Sequence, residues 1–377
     1  MRICLVYDCL YPHTVGGAER WYRNLGERLA AEGHDVTYLT LRQWERGADP
    51  GVEGVRVVTA GPRMALYVKG RRRILPPLVF GLGVLVHLLL RGRRYDVVHT
   101  ASFPYFSMLA AAAARPLGRY RLVADWHELW TRGYWEEYLG RAGVIGWLVQ
   151  KLCVRARHRA FVFSRLHARR LREEGFAGEP RILTGQFVDP GIEPGPSERA
   201  PLVVFAGRHI PEKRVPALVP AIAQARREIP GLRCAIFGDG PEREQVLAAI
   251  EAHGLGEAVE APGFVEGERV ERALAQAMCM VLPSRREGYG LVVLEAAARG
   301  TPSVVVDDPD NAAVEHVEDG VNGVVAPSAS PEDLAAAIAR VHAGGAELRA
   351  STRAWFERNR ERLSLAGSLR TVAESYR

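Results

Sequence analysis

Two carboxylates, Glu287 and Glu295, flank a Gly-Tyr-Gly turn in the stretch LPSRREGYGLVVLEAAARGTPSVV, residues 282–305. An apolar run precedes the turn and a helix-forming run follows it, so Glu287 falls on a strand-to-helix connection and Glu295 about one turn inside the helix. The main-chain amides of Gly288, Tyr289, Gly290 and Leu291 open that helix, and amides at a helix start attract phosphate or carboxylate. A pyrophosphate held there would leave Glu295 to accept hydrogen bonds from a ribose diol and Glu287 to meet the group beyond the phosphates. A capping or surface role explains either acid alone; both acids with the glycine turn are harder to explain that way.

Other residues of the same kind follow predicted strands. In GRHIPEKR (207–214) Arg208 offers a forked donor array and Lys213 a compact charge, a combination suited to a diphosphate or to a solvated surface. Lysine is conspicuous here, with three in the chain against 47 arginines. FGDGPER and PGFV put Gly238, Gly240, Phe264 and Val265 after two further strands, as ordinary turns or as a rim against which a planar base could lie. The G-x-G-x-x-G dinucleotide fingerprint is not completed, because position 243 is Arg. Near the start, Gly16 and Gly17 precede a helix and serve either a tight turn or the close approach of an anion.

The elements that must position these residues alternate. RICLVYDCLYPHTVGGAERWYRNLGERLAAEGHDVTYLTL reads as strand, glycine loop, amphipathic helix and strand, and YDVVHTAS, YRLVADWHE and RAFVFSRLHARRLREEG continue the pattern. FVDPGIEPGPSERAPL (187–202) reads as a linker. After it the alternation restarts, with strands at LVVFAGRH, LRCAIFGDG, VEAPGFV, MCMVLPS, TPSVVVD and NGVVAP and a helix at 331–343. Two doubly wound parallel-sheet domains are expected, facing across a cleft lined by strand-to-helix loops. The boundaries expected are 1–190 plus a C-terminal helix at 356–377, and 191–355.

The composition, 47% hydrophobic and 25% charged over 377 residues, is that of a globular protein of about two domains. Five cysteines without metal-type spacing fit a reduced, cytoplasmic setting, and the opening residues lack the pattern of a signal peptide. LPPLVFGLGVLVHLLL (75–90) is interrupted by prolines, glycines and His87 and is read as a buried helix. Residues 1–190 hold 29 Lys and Arg against 17 Asp and Glu, the remainder 21 against 27, which points to the first half for an anionic partner. Arg71–Arg73, Arg91, Arg93 and Arg94 flank the apolar segment, a pattern that suits peripheral contact with an anionic membrane or simple solvation of helix ends.

The ordered set GGAE (16–19), DVVH (96–99), His127, G-R-x4-K (207–213), GDGP (238–241), GFV (263–265) and P-S-x-x-E-G-Y-G-L-x-x-x-E (283–295) resembles the retaining GT-B glycosyltransferases of family 4 over nearly the whole chain. That resemblance implies transfer of a sugar from a nucleotide-diphosphate sugar, UDP ahead of GDP, to a hydroxyl of a glycan, lipid-linked or natural-product acceptor, as in polysaccharide or antibiotic biosynthesis. It implies that Arg208 and Lys213 hold the donor diphosphate, Glu295 the ribose, and Phe264 and Val265 the border of the base. Glu287 would contact the donor sugar, Gly16, Gly17 and Gly238 would approach the donor, and His127, which alone would read as structural, would lie near the reacting sugar. No cofactor, metal or nucleic-acid partner is expected. The leaving phosphate would take the acceptor proton, so no paired general-base carboxylate is required. TGQFVDP (184–190) departs from the family's usual Asn-Gly-Val-Asp, and Glu128 stands where Asp is common.

Trp126, Trp130, Tyr134, Trp135, Tyr138 and Trp147 crowd one stretch of the first domain. They suit an acceptor pocket, a core or a membrane interface; the first four are the candidates for acceptor binding. Competing readings are a nucleotide-sugar epimerase or hydrolase on the same fold and a non-catalytic nucleotide-sugar-binding relative.

Overall fold

A computed structural model describes residues 1–14, 16–45, 47–68, 71–188 and 201–376. The chain divides into two compact units, Met1–Gln186 with Ala366–Arg377, and Phe187–Leu365. Most of the linker expected at 187–202 lies outside the described residues.

In the first unit β1 (Arg2–Val6) leads through α1 (Gly17–Ala31) to β2 (Asp35–Thr40) and β3 (Arg56–Thr59). A short antiparallel ribbon, β4 (Tyr67–Val68) with β5 (Arg71–Arg72), precedes α2 (Leu75–Arg91). Then come β6 (Val97–Ala101), α3 (Tyr105–Gly118), β7 (Arg121–Trp126), α4 (Arg132–Leu139), α5 (Gly143–Arg155), β8 (Arg159–Val162), α6 (Arg165–Glu173) and β9 (Arg181–Ile182). The sheet is parallel in the order β3-β2-β1-β6-β7-β8-β9, so the winding reverses between β1 and β6. Helices cover both faces, which is why the inner strands read as unbroken apolar or β-branched runs and not as alternation. In α1, Trp21, Tyr22, Leu25 and Leu29 form the buried stripe, and Gly33, at φ +81°, turns the chain into β2.

The second unit repeats the plan with β10 (Leu202–Ala206), α7 (Leu218–Ala225), β11 (Arg233–Phe237), α8 (Arg243–Ala252), β12 (Val259–Gly263), α9 (Gly267–Gln276), β13 (Cys279–Leu282), β14 (Arg286–Glu287), α10 (Leu291–Ala298), β15 (Ser303–Val306), β16 (Asp310–Asn311) and β17 (Gly323–Ala326). Its parallel sheet runs β12-β11-β10-β13-β15-β17, reversing between β10 and β13. The helix expected at 331–343 continues through a non-helical Gly345 as α11 (Pro331–Leu363), and α12 (Leu365–Ser375) closes the described chain.

The units part at 186/187 and 365/366 and not at 190/191 and 355/356. Phe187 explains both shifts: it bridges to Ser364, and its ring meets that of Phe356 edge-on at 5.1 Å, which holds the end of α11 in the second unit.

Two expectations about apolar residues change. The segment 75–90 does form a helix, but only one face of it is buried. Phe80, Gly81, Val84 and Leu88 pack inward, and a Cβ at Gly81 would stand 2.6 Å from that of Phe106 in α3, an approach only glycine allows. Leu82 (63% exposed) and Leu90 (79%) face outward.

The aromatic cluster is largely core. Trp126, Tyr134 and Trp135 are buried, and Trp130 alone of the four candidates keeps partial exposure. The reason is Gln150, wholly buried on α5. Its Oε1 accepts from Tyr105 Oη (2.8 Å), the Trp130 amide (3.2 Å) and Trp135 Nε1 (3.1 Å), while its Nε2 donates to the Trp130 carbonyl (2.8 Å). Polar edges that would have needed water are satisfied inside, so the rings can pack.

Trp126 Nε1 donates to His158 Nε2 at 3.0 Å, while His158 Nδ1 faces the Ala156 carbonyl at 2.6 Å. The ring must be neutral to accept from the indole, and burial pushes its pKa down to about 4. A histidine with a depressed folded pKa stabilises the fold above its unfolded value and loses that contribution as pH falls through the folded value. Thermal unfolding scans should therefore show a decline beginning near pH 6.5 and continuing towards 4, worth roughly 3 kcal/mol. The decline should flatten in His158→Gln; an unchanged slope in that variant would reject the assignment.

Candidate functional site

In an open parallel sheet, ligands bind beyond the carboxyl ends of the strands where the winding reverses. In the second unit that point lies between β10 and β13, and the loops leaving these strands carry Lys213 and Glu287.

Lys213 ends a short 3-10 turn, Pro211–Lys213, after β10. Its Nζ meets Glu287 Oε1, and Ser284 Oγ donates to the same oxygen at 2.7 Å. Both side chains of the ion pair are largely buried. The glutamate is held from several sides. β14 pairs in parallel with β16, Asn311 Nδ2 donates to the Ser284 and Val306 carbonyls (3.3 and 2.8 Å), and the Arg285 amide donates to the Glu212 carbonyl at 2.8 Å. Arg214 takes a left-handed conformation (φ +50°) and pairs with Asp308 at 3.1 Å, tying the lysine loop down as well. Arg208, on the same loop, is exposed beside a buried His209 whose amide donates to the Asp239 carbonyl.

Gly290, at φ +86°, caps α10, and a Cβ there would lie 2.4 Å from that of Ala313. Gly290 is therefore the residue before the first turn of α10, which begins at Leu291. The Tyr289 side chain is buried, its ring 4.4 Å from His316. Glu295 is half-buried within α10. On the neighbouring loops Gly238 has φ +122°, and a Cβ would stand 1.9 Å from the Gly207 carbonyl oxygen, so no side chain fits. The Gly238 amide donates to the Gly263 carbonyl (2.9 Å), which joins the β11 loop to Phe264 and Val265. Phe264 is 73% exposed, whereas Val265 packs on the core.

The first unit builds a different arrangement at the carboxyl ends of β6 and β7. Asp125 is fully buried and accepts from Trp21 Nε1 (2.7 Å) and from His99 Nε2 (2.8 Å), while His99 Nδ1 meets the Tyr376 hydroxyl beyond α12. Burial would raise the Asp125 pKa, but His99, His127 and Trp21 hold it below its ordinary value. His127, two residues on, stacks flat on Phe163 with centroids 4.4 Å apart, and burial lowers its pKa, so it stands neutral at pH 7. Gly16 is extended at the start of α1, and a Cβ on it would meet the buried Glu19 carboxylate at 2.4 Å. Around Gly17 a Cβ meets nothing within 4 Å. Sequence reasoning did not single out Ser284, Asn311 or Asp125 as positioning residues; the first two act through the β14–β16 pairing, which no spacing announces.

Comparison with known proteins agrees with both halves. Residues 15–190 match the model of Glycosyltransferase Family 4, and residues 192–359 match that of Glycosyl transferases group 1. The chain belongs to the family 4 glycosyltransferases. A Mycobacterium tuberculosis glycogen synthase is 28% identical over 90% of the chain and 85% of its own length. The GT-B fold is shared with sucrose-phosphate synthase from Thermosynechococcus elongatus, at a TM-score of 0.82 and 22% identity over 100% of this chain and 98% of that one. The Anabaena protein HepE in complex with UDP follows at 0.75 and 18%, over 100% and 99%.

The Lys213–Glu287 pair makes a stability prediction. Removing the lysine leaves a buried carboxylate with Ser284 as its remaining partner, so Lys213→Ala should cost about 2 kcal/mol. Adding Glu287→Ala should recover part of that loss, with a coupling of about 1 kcal/mol or more in a double-mutant cycle read by urea unfolding. Strict additivity would mean that the two side chains do not sense each other.

Proposed function

We propose that this glycosyltransferase uses a nucleotide-diphosphate sugar, UDP ahead of GDP, and transfers the sugar with retention to a hydroxyl of a glycan, lipid-linked or natural-product acceptor. What carries the reading is the meeting of Lys213 and Glu287 from the two loops at the winding reversal of the second sheet, in a unit that also supplies Arg208 and the start of α10.

The chemistry follows from charge. The C1–O bond to the β-phosphate breaks, the acceptor oxygen forms a bond to C1 on the same face, and the acceptor proton passes to the departing phosphate. Negative charge grows on the diphosphate, where Arg208, Lys213 and the amides of residues 288–291 are assigned to receive it. Lys213 can move from Glu287 towards the diphosphate or share both, because an ammonium has three donors. As it does so, Glu287 becomes available to the sugar hydroxyls and to the positive character that develops at C1. Glu295 is assigned to the ribose diol, and the exposed Phe264 with Val265 and Gly238 to the base. In the first unit a neutral His127 is assigned to a sugar hydroxyl, which it can meet by a hydrogen bond without adding charge, and Gly16 and Gly17 to phosphate.

UDP is favoured because the Anabaena protein of the same fold is named in complex with UDP and with UDP-glucose. The names glycogen synthase and sucrose-phosphate synthase span a polymer and a small product, so the acceptor is assigned only as a hydroxyl. The charge balance is assigned to the protein's own cations, with no divalent metal in the step, and the setting proposed is cytoplasmic.

A thermal-shift panel of UDP-, GDP-, ADP- and dTDP-sugars should select one nucleotide, since a ligand bound to the native state raises its apparent stability. Glu295→Ala should weaken that nucleotide about tenfold or more. Lys213→Met and Glu287→Gln should cut turnover by a hundredfold or more, on the order of 3 kcal/mol of barrier, with EDTA leaving the wild-type rate unchanged. Proton NMR of the product should show the donor's anomeric configuration. Inversion, or rates near wild type in both variants, would refute the role assignments.

A further inference from the structure

The first unit carries a second surface, away from the carboxyl ends of its strands. Leu75, Leu78, Leu82, Val86, Leu89 and Leu90 form an exposed apolar stripe along α2. Leu117 at the end of α3 is exposed too, as are Ile145, Leu148 and Leu152 on α5, and α3 packs against both other helices. This is more contiguous apolar surface than a helix layer facing water usually shows.

Along α2 and its flanks the charges are basic, although on α5 Lys151 pairs with Glu174 at 3.6 Å. Between Glu53 and Asp96 the sequence has no acidic residue and nine Lys and Arg, and α3 and α5 contain no acid at all. At the amino ends of β1, β6 and β7 a cavity of about 440 Å³ is lined by Arg2, Arg93, Arg119 and Arg121 around a single carboxylate, Asp96, which Arg2 already engages at 2.7 Å. The cavity adjoins the apolar face, because Gly92 follows α2 directly and Arg93 Nε donates to the Leu117 carbonyl at 3.2 Å.

We propose that the first unit docks on an anionic lipid bilayer, with the outer face of α2 lying in the head-group region and the arginine cavity taking a lipid phosphate. An apolar stripe rimmed by arginine is the form of a helix lying in a membrane surface. The helix does not cross the bilayer in the folded protein: by length and composition it could, but its inner face is committed to the fold, where a Cβ at Gly83 would come within 1.7 Å of the Ala60 carbonyl oxygen. A second copy of this chain fits less well, since a two-fold interface would set one arginine rim against the other. A phosphate-bearing surface supplies both the apolar layer and the countercharge. The proposal does not depend on which donor or acceptor the enzyme uses.

The test is co-sedimentation of the full chain with vesicles of phosphatidylcholine alone and of phosphatidylcholine with phosphatidylglycerol, at low and high salt. Binding is expected only to the anionic vesicles and should weaken as salt rises. Leu82→Asp with Leu90→Asp should abolish it. Arg119→Asn and Arg121→Gln should each lower the partition coefficient about fivefold, in variants whose melting temperature is checked to be near wild type. Equal partitioning into neutral and anionic vesicles, or no partitioning into either, overturns the proposal. So does an apolar face that proves to be a dimer contact, with wild type dimeric by sedimentation velocity, Leu82→Asp monomeric and neither bound to lipid. A rise in melting temperature with glycerol phosphate but no vesicle binding would assign the cavity to a soluble phosphate ester and equally refute docking.

Discussion

The reversal of strand order in the second sheet is the constraint on which its candidate site depends. Because β10 and β13 are hydrogen-bonded neighbours with crossovers leading to opposite sides, their outgoing loops diverge over a shared gap. A cation on one loop and an acid on the other then meet across it, and burial makes the meeting of Lys213 and Glu287 nearly obligatory, since either charge alone would be costly there. The surrounding features stabilise this encounter. Ser284 shares the carboxylate oxygen, Asn311 fixes the loop backbone, and Arg214 accepts a left-handed conformation beside Asp308. In the proposed reaction such a preorganised pair would exchange one anion for another without rearranging the backbone.

The first unit solves a related problem with neutral groups. Asp125 keeps its charge in the interior because Trp21 and His99 donate to it, and that arrangement sets the backbone from which His127 projects. His127 lies on Phe163 with its charge suppressed by burial, so it can orient a polar group but brings no field of its own. At the carboxyl ends of the strands the second unit thus holds a buried ion pair and the first a neutral histidine.

Much of this was legible in the sequence, for a physical reason. The loops that leave a doubly wound sheet at the carboxyl ends of its strands could be read from the apolar runs before them, which places Arg208 and Lys213 after β10, Glu287 after β13 and Glu295 inside the helix that follows. The aromatic stretch resisted the same logic. Trp126 and Trp135 read as surface or core with equal ease, because the residue that decides, Gln150, lies on another helix and acts through hydrogen bonds that spacing does not encode. The half-burial of α2 was illegible too: an all-apolar helix carries no polar face to mark its outside. The domain boundary moved because Phe187 pairs across a long sequence interval with the end of α11, and composition records only the proline-rich stretch beside it.

The threading of the chain has a consequence for biosynthesis. The first unit takes its last twelve residues from the far end of the polypeptide, and the Tyr376 hydroxyl there reaches His99 in the core. On the ribosome the strands of that unit emerge first and then wait, with the seat for α12 open, until the whole second unit has been translated. A fragment ending at Gln186 would carry that exposed seat permanently, so the first half of the gene does not encode a self-sufficient folding module.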